Sequence, residues 1–299
     1  MLGPPTQREA TQTGQEVVTR AEKTPKDTAV YCTEFATNQL IVIMTRFHVI
    51  SLVVVLSVAT SWYITVTDLG FSAVHLNEVL HSDVVSSQHL AMIRVSFAAV
   101  IFSTLYAAIN DTKGLEITVS LSSGGFKSVN LKRFERLSTF TMWCWTLQGV
   151  YFLMTSLSPV FPPDTLESIH VHRICWVLFE INFALAYMVT FLVTFVLIPG
   201  AISKKIPHKF FDLTPILCHN ANALFMGVEI SLNQLSMPFS HIAFIQLFGL
   251  TYVIFAWKLH QSKGIFYYFF LDYDRPYAVW YYGGLFLSVS RLYRVVVSL

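Results

Sequence analysis

Charge is what this sequence has least of. Asp, Glu, Lys and Arg together make 13% of its 299 residues, against roughly a quarter in an ordinary soluble chain. Too few charges are left to cover a water-facing globule. A formal net charge of +2, with no sustained basic face, is too small to argue for a nucleic-acid partner, which needs many phosphate-neutralising cations, and none is expected. Cysteine is scarce too. Of Cys32, Cys144, Cys175 and Cys218, the last three lie in apolar runs, where a thiol behaves as a small buried hydrophobe, so no disulfide framework is expected.

Other absences remove further classes. Tandem HxxH or HxxxH iron boxes are missing, and His170-Val-His172 is isolated, expected in a loop. A haem between two histidines needs them on facing helices, and no spacing pairs His48 with His89. The last apolar stretch has no lysine to hold retinal. Transporters often repeat Gly/Pro-broken spans in corresponding halves, which Pro199-Gly200 and Gly283-Gly284 do not.

What the chain does have is apolar length. It is 54% hydrophobic, with a mean hydropathy of +0.54. A bilayer core of about 30 Å takes roughly 20 apolar residues as helix. Stretches 40–66, 87–109, 138–158, 173–199, 214–235, 240–257 and 277–298 qualify. The expectation is an all-α, multi-pass bundle of about seven spans over residues 38–299. Residues 1–37 are polar, carry no basic-then-apolar signal pattern, and are expected to be a flexible cytoplasmic tail.

The connections give an independent test. Segments 1–37, 110–137, 200–212 and 258–276 carry four, five, three and three Lys/Arg, whereas 67–86, 159–172 and 236–239 carry none. That alternation follows the positive-inside rule and puts the N-terminus in the cytoplasm and the C-terminus outside. It leaves the sequon Asn110-Asp-Thr112 on the cytoplasmic side, unused. Endoplasmic reticulum and plasma membrane fit equally. Within 110–137, Leu115, Ile117, Val119 and Leu121 alternate with polar residues before Ser122-Ser-Gly-Gly125, which predicts a small hairpin resting on the membrane domain.

Charges inside spans cost roughly 2.5–3.5 kcal/mol each on insertion scales, so each needs a partner or a role. Arg94, Glu180 and Glu229 are the candidates. An Arg–carboxylate pair facing the bundle interior is the plain reading, with either glutamate as partner; a proton or substrate pathway is the sharper one.

The fifth stretch carries His219, Asn222 and Met226 on one helical face, continued by Glu229. Thr214 is its expected N-cap, with Pro215 at the first helical position. The third stretch carries Thr139, Thr141 and Thr146. Thr141 lies five residues beyond Arg136, and His219 five beyond Thr214, about 7.5 Å of helical rise in each case. Both stretches enter from the same side, so the two side chains can share one layer. A hydroxyl is inert as a nucleophile until a base takes its proton. The alternative is packing: threonines that bond back to their own helix and a histidine that bonds a neighbour.

Three segments resemble the androgen-induced family of membrane hydrolases. They are Leu137…Thr141 with Leu147-Gln148 and Tyr151-Phe152, then His219…Glu229, then Trp257-Lys-Leu-His260 through Gly264 to Tyr267-Tyr-Phe-Phe-Leu271. The rolling-stone proteins, linked to cell fusion, are similar at greater distance. The similarity covers roughly 87–285. It implies six of the spans, with the first one extra, and hydrolysis of fatty acid esters of hydroxy fatty acids. It implies Thr141 as nucleophile and His219 as general base, with a lipid ester as substrate, membrane lipids as surroundings, and no metal or other cofactor. Asn222, a turn beyond His219, would orient the imidazole or donate to the oxyanion. Phe270 stands where the family has proline, and Ser138-Thr139 offer competing hydroxyls. The alternatives are a non-catalytic fusion or adhesion protein on the same scaffold and a small-molecule transporter.

Overall fold

The computed structural model describes residues 25–69, 71, 82–121, 125–157, 166–203, 205 and 210–297. The chain divides into two units, Met1–Ile43 and Met44–Leu299. Only the start of one long helix, α1 (Pro25–Val66), is described in the first. Most of the tail expected over 1–37 thus lies outside the described residues, and its last part is helical.

The second unit is helical because apolar surroundings offer no water to the backbone, and a helix satisfies its own N–H and C=O groups. After α1 come α2 (Ser87–Asn110), α3 (Phe140–Leu157) and α4 (Leu166–Leu192). A π-helical turn (Val193–Leu197) leads into α5 (Ile198–Ser203). Next are α6 (Leu213–Ile216), a second π turn (Leu217–Ala221) and α7 (Asn222–Leu232). Finally come α8 (Ile242–Lys263) and α9 (Ala278–Val297). Helix therefore occupies all seven expected stretches. Four of the segments, Gln39–Val66, Ser87–Asn110, His170–Ser203 and Phe239–Lys263, are long and apolar enough to cross a membrane, which makes this an all-α membrane protein.

Local chemistry sets the ends. Ser86 Oγ accepts the His89 N–H at the start of α2, meeting one of the unpaired first-turn donors. Gly264 ends α8 at φ +68° with its N–H on the His260 carbonyl at 2.7 Å, a left-handed cap that only glycine adopts without strain.

The hairpin is present. Strands β1 (Leu115–Leu121) and β2 (Phe126–Leu131) pair antiparallel from Leu115↔Leu131 to Ser120↔Phe126. Its expected turn lies outside the described residues except for Gly125. A short third strand, β3 (Ile265–Phe266), adds to the free edge of β1. Ser120 Oγ donates to Asp272 Oδ2 at 2.7 Å, and Arg275 Nη2 donates to Ser120 Oγ at 3.0 Å. An isolated hairpin is marginal in water; these bonds and the β3 pairing anchor it.

The main core joins α2, α3, α4 and α7 through Ile101, Trp145, Phe152, Phe179 and Met226. α2 and α3 approach closely at Gly149, where an added Cβ would sit 2.8 Å from Ile101 Cγ2. Small residues at such crossings let backbones near one another.

Buried in this core, Arg94 on α2 meets Glu229 on α7, with Nη2–Oε1 2.6 Å and Nε–Oε1 3.0 Å. Tyr151 on α3 donates to Glu229 Oε1 at 2.6 Å, and Asn233 Nδ2 reaches it at 3.3 Å. Glu229 is therefore the partner of Arg94. Glu180 belongs elsewhere, with His241 Nδ1 at 2.6 Å from its Oε2 and His241 Nε2 2.7 Å from the Leu69 carbonyl.

Breaking one side of a buried pair costs about 3–5 kcal/mol, while an apolar replacement of both sides is often tolerated. Glu229→Leu is expected to lower the thermal unfolding midpoint of the detergent-solubilised protein sharply, and Arg94→Met/Glu229→Leu to recover most of it. A double variant as unstable as the single would contradict a mainly structural pair.

Candidate functional site

The segment ahead of α3 is a 3₁₀ turn, Arg133–Ser138, closed by Thr139 in an extended conformation. The third span therefore starts two residues later than expected, and Thr141 stands in the first turn of α3 rather than well inside it. First-turn N–H groups lack intrahelical acceptors and carry the positive end of the helix dipole. Four contacts fix this segment against the α8–β3 region. Lys263 Nζ bonds Glu135 Oε1 at 2.7 Å, Ser138 Oγ and Tyr267 Oη lie 2.8 Å apart, and Tyr252 Oη donates to the Ser138 carbonyl at 3.1 Å. The Phe140 N–H donates to Tyr268 Oη at 3.2 Å.

Tyr268 lines the same cavity as Thr141. Burial pushes its phenol up to about 12, so it keeps its proton at neutral pH. With its oxygen already accepting from Phe140, that proton is left for donation.

The second strand of the site comes from the α6–α7 region. Asp212, not Thr214, occupies the N-cap, and Pro215 is the third helical residue rather than the first. The chain then widens into the π turn that contains His219. A π turn inserts one extra residue per turn and re-aims its side chains; such bulges recur at functional sites. The Thr190 hydroxyl of α4 lies 2.5 Å from the His219 carbonyl and 3.2 Å from Asn222 Oδ1. His219 Nδ1 is buried without a hydrogen-bond partner.

Thr141 and His219 line one partly open cavity, together with Arg136, Thr139, Cys218 and Tyr268. The register of α3 on α7 brings them there. Tyr151 meets Glu229, and Gln148 Nε2 donates to the Asn222 carbonyl at 2.9 Å, so the two helices run parallel. Thr141 precedes Tyr151 by ten residues, as His219 precedes Glu229. Ten residues back along each is about 15 Å of rise, and both side chains arrive at the same end. A second, apolar cavity shares Thr141, Tyr268 and Phe270 as wall and is otherwise lined by residues such as Leu185, Val189, Leu250 and Phe286.

Other expected participants lie elsewhere. Asn222 is buried against Thr190 and the Ala223 N–H and does not line the cavity, so it neither orients the imidazole nor faces an oxyanion. Thr139 Oγ1 donates to the Arg136 carbonyl at 3.3 Å, and the Ser138 hydroxyl is held by Glu135 and Tyr267; Thr141 lacks such a competing backbone bond. Among the described residues, no group of three or more His, Cys, Asp or Glu side chains is arranged to hold a metal. Arg136 and Tyr268 also line this cavity and carry no motif of their own. Their only signal was position, Arg136 just ahead of an apolar run and Tyr268 in an aromatic string after Gly264.

Comparison with known protein families, with curated proteins and with solved structures finds no match for this chain.

If Thr141 and His219 face one another across the cavity, Thr141→Cys/His219→Cys in a background lacking the four natural cysteines is joined by a short bifunctional thiol reagent. Either single variant gives no intramolecular product. Failure of the double variant to join, with each cysteine individually reactive, would refute the shared cavity.

Proposed function

We propose that this protein is an integral-membrane hydrolase of lipid carboxylic esters, with Thr141 as nucleophile and His219 as general base. The carrying observation is that Thr141 lies in the wall between two cavities, one also lined by His219, whose buried Nδ1 has no hydrogen-bond partner, and the other apolar. The resemblance to the androgen-induced family supports the same reading and suggests fatty acid esters of hydroxy fatty acids as the ester type. In this reading all seven helical stretches cross the membrane, with the N-terminus cytoplasmic. The charge alternation of the connections supports that topology.

The acyl chain occupies the apolar cavity and sets the ester carbonyl at Thr141. His219 takes the hydroxyl proton as Oγ1 bonds to the carbonyl carbon. The resulting oxyanion receives the Tyr268 O–H and lies at the N-terminus of α3, where negative charge is favoured. Collapse breaks the bond to the alcohol oxygen, which leaves with the proton from His219. Water, deprotonated by the same imidazole, then attacks the acyl-threonine, and the carboxylic acid departs as Oγ1 regains its proton. The Arg94–Glu229 pair lies outside both cavities and has its hydrogen bonds met within the core, which weighs against a transport pathway through it.

The test is labelling of the purified full chain with a fluorophosphonate probe, run beside ester hydrolysis. Thr141→Ala is expected to abolish both, and His219→Ala to slow hydrolysis about 10²–10⁴-fold. Tyr268→Phe should lower kcat about 10²-fold, the scale for one oxyanion donor, with KM little changed. Labelling that survives Thr141→Ala would remove the nucleophile and the reading with it.

A further inference from the structure

Among the described residues, Arg136 is the one strong cation in the wall that holds Thr141 and His219. Its residue is 5% exposed. Nη1 donates to Asp111 Oδ2 at 2.8 Å, but Nε–H is buried with no partner. A buried, charged donor left unmet is costly, and a guanidinium offers a planar fork that matches carboxylate and phosphate oxygens two at a time. Asp111 engages the other end of the fork. Its carboxyl is held below the usual range, first by the Lys113 N–H and then by Arg136, so it stays ionised and fixes the guanidinium plane. Among the described residues, the one other ionisable side chain in this wall besides His219 and Arg136 that bears on charge is Glu116. It is solvent-exposed, accepts from Ser128 Oγ at 2.5 Å, and belongs to the hairpin.

Resting on the hydrolase reading of this cavity, we propose that Arg136 forms an anion subsite that takes a carboxylate or phosphate carried by the alcohol portion of the lipid ester. The anion pairs with Nε, the ester carbonyl lies at Thr141, and the acyl chain runs into the apolar cavity beyond. The fold places these in that order because the 3₁₀ turn bearing Arg136 directly precedes the first turn of α3. The subsite therefore selects amphiphiles with an acidic end over neutral esters and acylglycerols, and orients them carbonyl-inward.

Binding and turnover are tested separately on the full chain in neutral detergent. In the binding arm, oleate, oleyl alcohol and 1-oleoylglycerol 3-phosphate are titrated against the protein, and unfolding temperature is read. An anionic ligand is expected to bind about tenfold or more tighter than the alcohol, the scale of a hydrogen bond to a charged group. The preference is expected to vanish in Arg136→Gln and to persist, weakened, in Arg136→Lys. Tighter binding of oleate than of the phosphate assigns the site to carboxylates, and the reverse to phosphate headgroups. Equal binding of oleate, phosphate and alcohol by the unsubstituted protein overturns the subsite, whatever the variants do. In the turnover arm, an ester with a free terminal carboxylate is compared with its methyl-capped twin, cleavage being scored at the internal ester. The selectivity ratio should collapse toward one in Arg136→Gln; a variant that slows both esters and keeps the ratio would show a purely structural arginine. An anion preference in binding without any Thr141-dependent hydrolysis would sink the hydrolase reading and leave the subsite standing.

Discussion

The carboxylate of Glu229 holds three helices at one point. It takes Arg94 from α2 and Tyr151 from α3 while belonging to α7, and in a low-dielectric interior none of these groups tolerates losing its partner. That requirement removes freedom that apolar packing alone would leave. Leu, Phe and Met surfaces slide past one another with little penalty among lipid-facing helices. A buried ion pair with a phenol on the same oxygen allows one register. From that register the levels of Thr141 and His219 follow, since each stands ten residues back from its helix's contribution to the joint.

A second set of constraints acts at the other end of α3. The segment before it is tied to the chain around Tyr252, Lys263, Tyr267 and Tyr268 by polar contacts rather than by a core. Those contacts are local to the site. They bring the Tyr268 phenol, from a stretch more than a hundred residues away, to the start of α3. The π turn at His219 completes the arrangement. It trades regular helical bonding for a re-aimed imidazole; the π turn at Val193–Leu197 gives up the same bonding, and its Val196 and Leu197 line both cavities. Two irregular turns facing the same space mark where regular helix was given up in favour of shape.

The sequence by itself determined the class, the places of the helices and the hairpin. Composition, 20-residue apolar lengths and a period of two are local properties that packing does not overrule. It named Thr141 and His219 as candidates through their matching depth and the family resemblance, and both line one cavity. Tertiary structure alone decided which glutamate Arg94 meets, since Glu180 and Glu229 sit in equally apolar helices and only the packing of α2 on α3 and α7 separates them. It decided against Asn222, whose spacing fitted but whose amide is engaged by α4. The start of α3, the widened turn at His219 and the burial of Arg136 were likewise beyond reading from the chain. Each depends on hydrogen bonds between residues far apart in sequence, and no local pattern encodes a partner that only folding brings within 3 Å.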